Sequence, residues 1–581
     1  MALSSSSLLL LPLQHSQQQQ QFCSIFARSS LPPPPRLPAP DVAAAAANLV
    51  SAGGLSNSYL RKSSLFPIVK RMGSGRTIQV KKDMTNVDSE EGVDTEPLLQ
   101  QQQEEEKSKA AALFNWTSVS LPFVFPALGG LMFGYDIGAT SGAVVSLVSP
   151  ELSGIEWYNL TALQTGLVVS GSLYGALLGS ILAFNIADAL GRRKELMLAA
   201  FLYIVGALVT GGAPDLSVLF AGRLIYGIGI GLAMHAAPMY IAETAPTQIR
   251  GTLISLKEGF IVGGILLGYL VGSIMIGVEG GWRMMFGFGA PIALLMGVGM
   301  WWLPPSPRWL LLRGLQGGGE EQEFKARASS ALLRLRGNRF SQNMAEEQVE
   351  DTWMSLQAAS EGQELNVSLA ELFQGVNLKA LLIGTGLVFF QQVTGQPSVL
   401  YYAAPILQNA GFSLAADATK LSVLLGFFKL IMTGIAVVNV DKLGRRPLLI
   451  GGVSGIVISL FLLAAYFTFG QGVPVLAVIA LLLYVGCYQV SFGPISWLMV
   501  SEIFPLRTRG KALGVTTLVN FGSNAVVALA FAPLQDLVGV SATFIIFGII
   551  GLISLIFIVL AVPETKGLSL EEIEAKLLGR S

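Results

Sequence analysis

The chain has 581 residues, of which 52% are hydrophobic and 13% charged, with a formal net charge of zero. A soluble domain carries about 25% charged residues, so this composition excludes an ordinary cytosolic globule and gives no case for a nucleic-acid partner. With two cysteines, Cys23 and Cys487, and two histidines, His15 and His235, neither a disulfide framework nor a thiolate or multi-histidine metal site is expected, and no cofactor is implied.

Residues 1–82 hold nine Lys and Arg against one acid, Asp41, among many Ser, Ala, Leu and Pro. An acid-poor, hydroxylated leader of this kind reads as an organelle transit peptide, more plastid-like than mitochondrial; a cytosolic tail is the plainer alternative. The apolar run 8–13 is too short to span a bilayer. From Asp83 to Glu106 nine acids follow, so 83–116 is expected to be a solvated linker. Its stretch Asp94-Thr-Glu-Pro-Leu-Leu99 matches an acidic di-leucine sorting signal, which keeps the vacuolar membrane as an alternative destination.

Uncharged runs long enough to cross a bilayer recur along the rest. The expected spans are 118–146, 164–187, 195–213, 216–241, 252–277 and 283–303, then 378–407, 419–440, 447–469, 474–499, 511–533 and 541–562. Segments this apolar must be helices, because lipid offers backbone groups no partner. The fold expected is an all-α membrane protein of twelve transmembrane helices in two pseudo-symmetric halves, 117–303 and 378–562, with a tail at 563–581. Arg192, Arg193 and Lys194, Arg250, Lys442, Arg445 and Arg446, and Arg507, Arg509 and Lys511 all fall on one side, which the positive-inside bias makes cytosolic, or stromal after plastid import.

The halves repeat each other. Asp188-Ala-Leu-Gly-Arg-Arg193 returns as Asp441-Lys-Leu-Gly-Arg-Arg446. Glu243, Pro246 and Arg250-Gly251 return as Glu502, Pro505 and Arg509-Gly510, 259 residues later (502 − 243), the spacing that also separates Pro304 from Pro563. Duplicated halves of this kind hold a site at the midplane and rock about it. Between them, 304–377 reads as short amphipathic helices on the basic face.

Asp136 and Arg223 lie inside apolar runs. Charges in hydrocarbon cost at least a few kcal/mol each and are rarely placed there without a partner or a task. If the first and fourth spans are antiparallel, the two charges reach the same depth. An acid and a base meeting there can form a proton-responsive latch or a static ion pair.

In this order the motifs resemble the sugar porter family of the major facilitator superfamily. They are Gly129-Gly-Leu-Met-Phe-Gly-Tyr-Asp136, Arg223-Leu-Ile-Tyr-Gly-Ile-Gly-Ile-Gly231, Pro238-Met-Tyr-Ile-Ala-Glu243 and Pro304-Pro-Ser-Pro-Arg-Trp309. Gln391-Gln392, Gly493-Pro-Ile-Ser-Trp497 and Pro563-Glu-Thr-Lys-Gly567 complete the set. With the leader and Gln396-Pro397-Ser398, the chain looks most like chloroplast members of that family in plants. The resemblance implies a carrier, not an enzyme. It moves sugar with protons across the plastid inner envelope by alternating access, as a monomer in the lipid bilayer. A facilitative sugar or polyol uniporter and a non-transporting sugar sensor are its rivals.

The resemblance also implies site residues. Asp136 is the proton acceptor and Arg223 its partner. Gln391, Gln392, Asn520 and Gln489 contact sugar, and Trp497 stacks on it or serves as an interface residue. Tyr401 and Tyr402 form an outer gate or belong to an aromatic belt. On the basic face, Glu243 and Glu502 pair with Arg192, Arg193, Arg445 and Arg446 beside Asp188 and Asp441, locking the halves when the site faces outward. His235 relays protons or packs. Some positions depart from the family's pattern. Pro397 replaces a pocket Asn and loosens the seventh helix, Ile265 replaces a Gln, Phe184 a Gly and Pro305 a Glu. Lys429 stands for a pocket Asn; it could bind a larger sugar, pair with a carboxyl, join the proton coupling, or snorkel.

Overall fold

The structure, a computed structural model, describes residues 116–568 apart from 247–248, 318–319, 338–339, 363–368, 470–471 and 506–507, together with 572, 573 and 576. The leader, nearly all of the acidic linker and the di-leucine stretch lie outside the described residues, as do the side chains of Asp188 and Asp441.

Twelve helices are long and apolar enough to cross a membrane, and no strand occurs among the described residues. The first six are Trp116–Val148, Ala162–Leu190, Arg192–Gly211, Leu216–Thr244, Arg250–Met275 and a sixth in two pieces, Gly281–Gly287 and Gly289–Trp302. The second six begin with a span in three pieces, Gly375–Val393, Gln396–Tyr401 and Ala403–Asn409. Ala415–Leu443 and Arg445–Phe469 follow. The tenth is broken into Pro474–Val490 and Phe492–Ile503, and Arg509–Val538 and Val540–Ala561 complete the set.

Breaks in the C-terminal half create the polar site. In the seventh span Gly395 takes φ +87°, a left-handed conformation open to glycine at no steric cost, and Pro397 follows in the first turn of the next piece. In the tenth, Ser491 leaves helical geometry at φ −110°, ψ −94°, just ahead of Gly493-Pro494. Each break frees backbone carbonyls at membrane depth, and lipid cannot satisfy them.

In the N-terminal half close approach, not bending, dominates. The first span lies along the fifth, and the second and third along the fourth. A Cβ on Gly134 would stand 1.8 Å from the carbonyl oxygen of Ile261, so only glycine lets the helix bearing Asp136 approach the fifth span this closely. Ile265 is buried in the same contact.

The two halves meet along the second and eleventh spans and along the fifth and eighth. On the side away from the basic loops, hydrogen bonds among the described residues join them. Ala404 N–H donates to Ser141 Oγ at 3.0 Å, and Tyr269 donates to the Leu400 carbonyl at 2.8 Å. Nearer the basic face, Phe184 of the second span fills the space over Gly514, where a Cβ would sit 2.1 Å from its ring.

Three helices, Pro307–Gly317, Glu321–Arg336 and Gln342–Gly362, connect the halves. They enclose a core of their own around Leu310, Leu332, Val349 and Trp353. Lys325 ties two of them together, 2.6 Å from both Glu321 and Glu350. Arg334 fastens the group to the end of the sixth span through the Trp302 carbonyl at 3.0 Å.

Candidate functional site

Asp136 and Arg223 meet, 3% and 1% exposed. Arg223 Nη1 binds Asp136 Oδ1, its Nε donates to the Val168 carbonyl at 3.0 Å, and Nη2 donates to the Val169 carbonyl at 3.2 Å. Ser172 closes the cluster. Its Oγ donates to Asp136 Oδ2 at 2.7 Å and accepts from Arg223 Nη2 at 3.1 Å. The guanidinium carbon also lies 4.9 Å from the Phe286 ring centre. The second span can supply three of these partners because Gly171 leaves only 3.0 Å between its would-be Cβ and that of Arg223.

A buried ion pair is stable only when its remaining donors and acceptors are satisfied. Here every Arg223 nitrogen has a partner, so removing the negative charge would strand a well-bound cation rather than a loose one. Tyr203 and Tyr226 pin the neighbouring turns of the first span, donating to the Gly129 and Met132 carbonyls at 3.2 and 3.1 Å.

The C-terminal half gathers amides around the two helix breaks. Gln391 Nε2 donates to the Phe492 carbonyl at 2.7 Å, and Gln392 Nε2 donates to Asn520 Oδ1 at 2.6 Å. Gln489 packs against Gly493, 3.1 Å from its would-be Cβ, and accepts from Lys429 Nζ at 2.6 Å. Asn520, Gln392, Gln391, the 492–493 backbone, Gln489 and Lys429 thus form one polar chain from the eleventh span to the eighth. Trp497, one turn beyond Gly493, is half-buried against the core. The amide oxygens Gln391 Oε1 and Gln392 Oε1 are buried and unpartnered, as are Gln396 Nε2, Ser398 Oγ, Ser496 Oγ and Asn524 Oδ1. Each such atom costs about 1–3 kcal/mol unless a ligand or water satisfies it.

Tyr401 and Tyr402 diverge. Tyr402 stacks on Phe531, ring centres 4.8 Å apart, and donates to the Ala528 carbonyl at 3.3 Å. Tyr401 is fully buried, its hydroxyl beside Ser172, and lies within electrostatic reach of Asp136 and Arg223 in the opposite half. Neither stands in an interface belt. Lys429 does not snorkel; it is 5% exposed.

On the basic face Arg192 pairs with Glu243 at 3.2 Å and Arg445 with Glu502 at 3.0 Å. Both pairs stay within a half and repeat each other. Arg193 and Arg446 depart from the expected pairing. Arg193 donates to the Met300 and Trp301 carbonyls at 3.1 and 2.5 Å, and Arg446 to the Val559 carbonyl at 2.7 Å. The physical reason is local, since the last carbonyls of the sixth and twelfth helices are unpaired acceptors at the negative end of the helix dipole. The C-terminal half adds Glu564, whose carboxylate accepts the backbone N–H groups of Arg445 and Arg446 at 3.1 and 3.0 Å. The equivalent residue in the other half is Pro305, which has no carboxylate.

Sequence reasoning missed Ser172, one serine among many with nothing to say which helix face it occupies. It also missed Asn524, one turn beyond Asn520. His235 lies 2.9 Å from Glu195, which is wholly buried. Among the described residues no group of three or more His, Cys, Asp or Glu could hold a metal.

Comparison with known proteins identifies the family. The profile of the family described as sugar (and other) transporter matches residues 123–577. The D-xylose-proton symporter-like 3, chloroplastic, of Arabidopsis thaliana is 65% identical over 81% of this chain and 84% of its own length. The D-xylose transporter of Levilactobacillus brevis is 36% identical over 80% and 97%. Among solved structures, the partially occluded inward open conformation of the xylose transporter XylE from E. coli aligns with a TM-score of 0.65 at 30% identity. The alignment covers 78% of this chain and all of that one. The inward open conformation of the same transporter gives 0.65 at 31%, covering 79% and 99%. The chain therefore belongs to the sugar (and other) transporter family of the major facilitator superfamily, a family of carriers rather than enzymes.

Proposed function

We propose that this chain is a proton-coupled sugar carrier of the plastid inner envelope that works by alternating access as a monomer. Its substrate is a hexose, a pentose or sucrose. The observation that carries the reading is the pairing of two unlike sites. A fully bonded Asp136–Ser172–Arg223 cluster lies in one half, and buried, unpartnered amide oxygens on Gln391 and Gln392 lie in the other. Sugars need groups that both donate and accept, and an aromatic face for their C–H edges; the amides and Trp497 offer these.

Asp136 is the proton site. Protonation cancels its charge and weakens its hold on Arg223; deprotonation restores a costly but paired ion. Tyr401, on the seventh span and close to this pair, connects its charge state to the outer side, where Ala404 and Leu400 already bond the opposite half. The Arg192–Glu243 and Arg445–Glu502 pairs hold each half rigid as it rocks. The plastid address is supported by the acid-poor leader and by the word chloroplastic in the name of the Arabidopsis relative.

The test is uptake of labelled D-xylose, D-glucose and sucrose into liposomes holding the purified chain, with and without an imposed pH gradient. Accumulation above equilibrium driven by the gradient is expected for at least one sugar. Flux that ignores the gradient would make the protein a facilitative carrier, and binding without flux would make it a sensor.

A further inference from the structure

Lys429 is a buried charge to which proton coupling at Asp136 assigns no part. Its Nζ donates to Gln489 Oε1 at 2.6 Å and lies 5.4 Å from the centre of the Tyr488 ring. A neutral amide and a π face are its only close partners among the described residues. The acid that acts on it, Glu258 of the fifth span, lies 3.1 Å from Lys257 instead. The other elements packed against the eighth span bring little charge to it. Ala403–Asn409 contains no acid or base, and the ninth span carries Arg445 and Arg446 at its start and Tyr466 near its end. In Phe492–Ile503 the one acid is Glu502, bound to Arg445. The eighth span's own charged residues, Asp417, Lys420, Asp441 and Lys442, sit at its two ends.

Lys429 ends the polar chain that begins at Asn520, so a sugar bound along that chain meets it. An ammonium has three donors and no acceptor, whereas an amine can keep its bond to Gln489 and still accept from a hydroxyl. A neutral sugar also displaces water from the cavity and brings no counter-charge. Keeping an ammonium beside it without water is costly, and the amine avoids that cost.

We propose that Lys429 is a second proton-exchanging residue, giving up a proton when sugar binds and recovering it when sugar leaves. The ammonium Nζ–H passes its proton to water in the compartment the cavity faces, leaving the neutral amine; nothing else is consumed or formed. The inference rests on the sugar site read from Gln391, Gln392 and Asn520. It lowers the net proton count per sugar below the one that Asp136 carries, by the fraction of chains whose Lys429 is an ammonium before sugar binds, and proton-driven accumulation needs that fraction to stay below one.

The experiment mixes the purified full chain, in weak buffer with a pH indicator, with D-glucose or D-xylose while tryptophan fluorescence reports binding. Asp136→Asn, in which no proton can load at position 136, is expected to release protons as sugar binds, and wild type to release fewer. The double variant Asp136→Asn with Lys429→Met is expected to bind sugar with release reduced to the level of buffer mixing. Should Met at this depth prevent folding, Lys429→Gln keeps a partner for Gln489 and serves the same purpose. Sugar binding without proton release in Asp136→Asn, or equal release when Lys429 is replaced as well, overturns the proposal. Absence of binding by wild type in the fluorescence channel sinks the sugar-site reading itself, which separates the two failures.

Discussion

Ser172 donates its hydroxyl to Asp136 at 2.7 Å while accepting from Arg223 at 3.1 Å, so one small side chain serves both members of a buried ion pair. Ser172→Ala removes a donor and an acceptor at once inside a water-excluded cluster. The expected cost is about 1–3 kcal/mol of stability, seen as a lower melting temperature of the purified protein. Sugar affinity should hold, because the amides lie in the other half. An unchanged melting temperature would make Ser172 a bystander.

Asp136→Asn keeps the shape and one acceptor oxygen for Arg223 but fixes the charge. Gradient-driven accumulation is expected to vanish, while exchange of labelled for unlabelled sugar across equal pH persists at a reduced rate. Part of the reduction is structural. A buried cation left without its counter-ion costs about 3–5 kcal/mol, and the yield of folded protein should be measured beside the flux. Accumulation at the wild-type level in this variant would remove Asp136 from the coupling.

Much of this architecture was legible in the chain because lipid enforces a simple rule. A helix crossing it must be apolar for about 20 residues, so hydropathy alone marks the spans. The eighth span, expected at 419–440, runs as a candidate span over Ala415–Val440, and the twelfth, expected at 541–562, over Val540–Ala561. The helix breaks were half legible. Pro397 announced a loosened seventh helix, whereas the break ahead of Gly493-Pro494 went unread, and nothing in the spacing showed that the Phe492 carbonyl would receive Gln391. Rotation of a helix about its axis is what hydropathy leaves open when both faces are apolar. For that reason Ser172, Glu195 and Asn524 were invisible, and Arg193 and Arg446 were assigned to carboxylates although helix-end carbonyls lay closer.

Gln392 holds Asn520 with its nitrogen and leaves its oxygen buried and unpartnered. Gln392→Ala deletes that acceptor and releases Asn520, so sugar affinity should fall by a factor of about 5–150, the equivalent of 1–3 kcal/mol. Trp497→Ala removes an aromatic face and should weaken every sugar rather than change their order, since ring stacking reads C–H edges and not hydroxyl pattern. Titration calorimetry on both variants, with the amount of monodisperse protein as control, is the measurement. Wild-type affinity in both would mean that the pocket lies elsewhere.

Glu564 offers a pH test outside the membrane spans. Partial burial acts against its charged form, but backbone N–H groups of Lys566, Arg445, Arg446 and Thr565 outweigh it and hold the carboxyl below its ordinary value. A carboxyl whose pKa is lower folded than unfolded contributes stability that is fully present above the unfolded value, about 4.3. That contribution is lost as pH falls through the lower, folded value. Wild-type protein should therefore lose melting temperature on acidification through this window, and Glu564→Gln, which keeps one acceptor oxygen but no charge, should lose less. The variant's deficit at neutral pH should be local as well. Glu564 secures the start of the ninth span, where Arg445 reaches Glu502, so in Glu564→Gln hydrogen exchange should quicken at the amides of Arg445 and Arg446. The matching turn at Arg192, where Pro305 stands in place of that carboxylate in both proteins, should exchange alike in both; equal quickening at the two turns would show that the carboxylate acts globally and not as a cap.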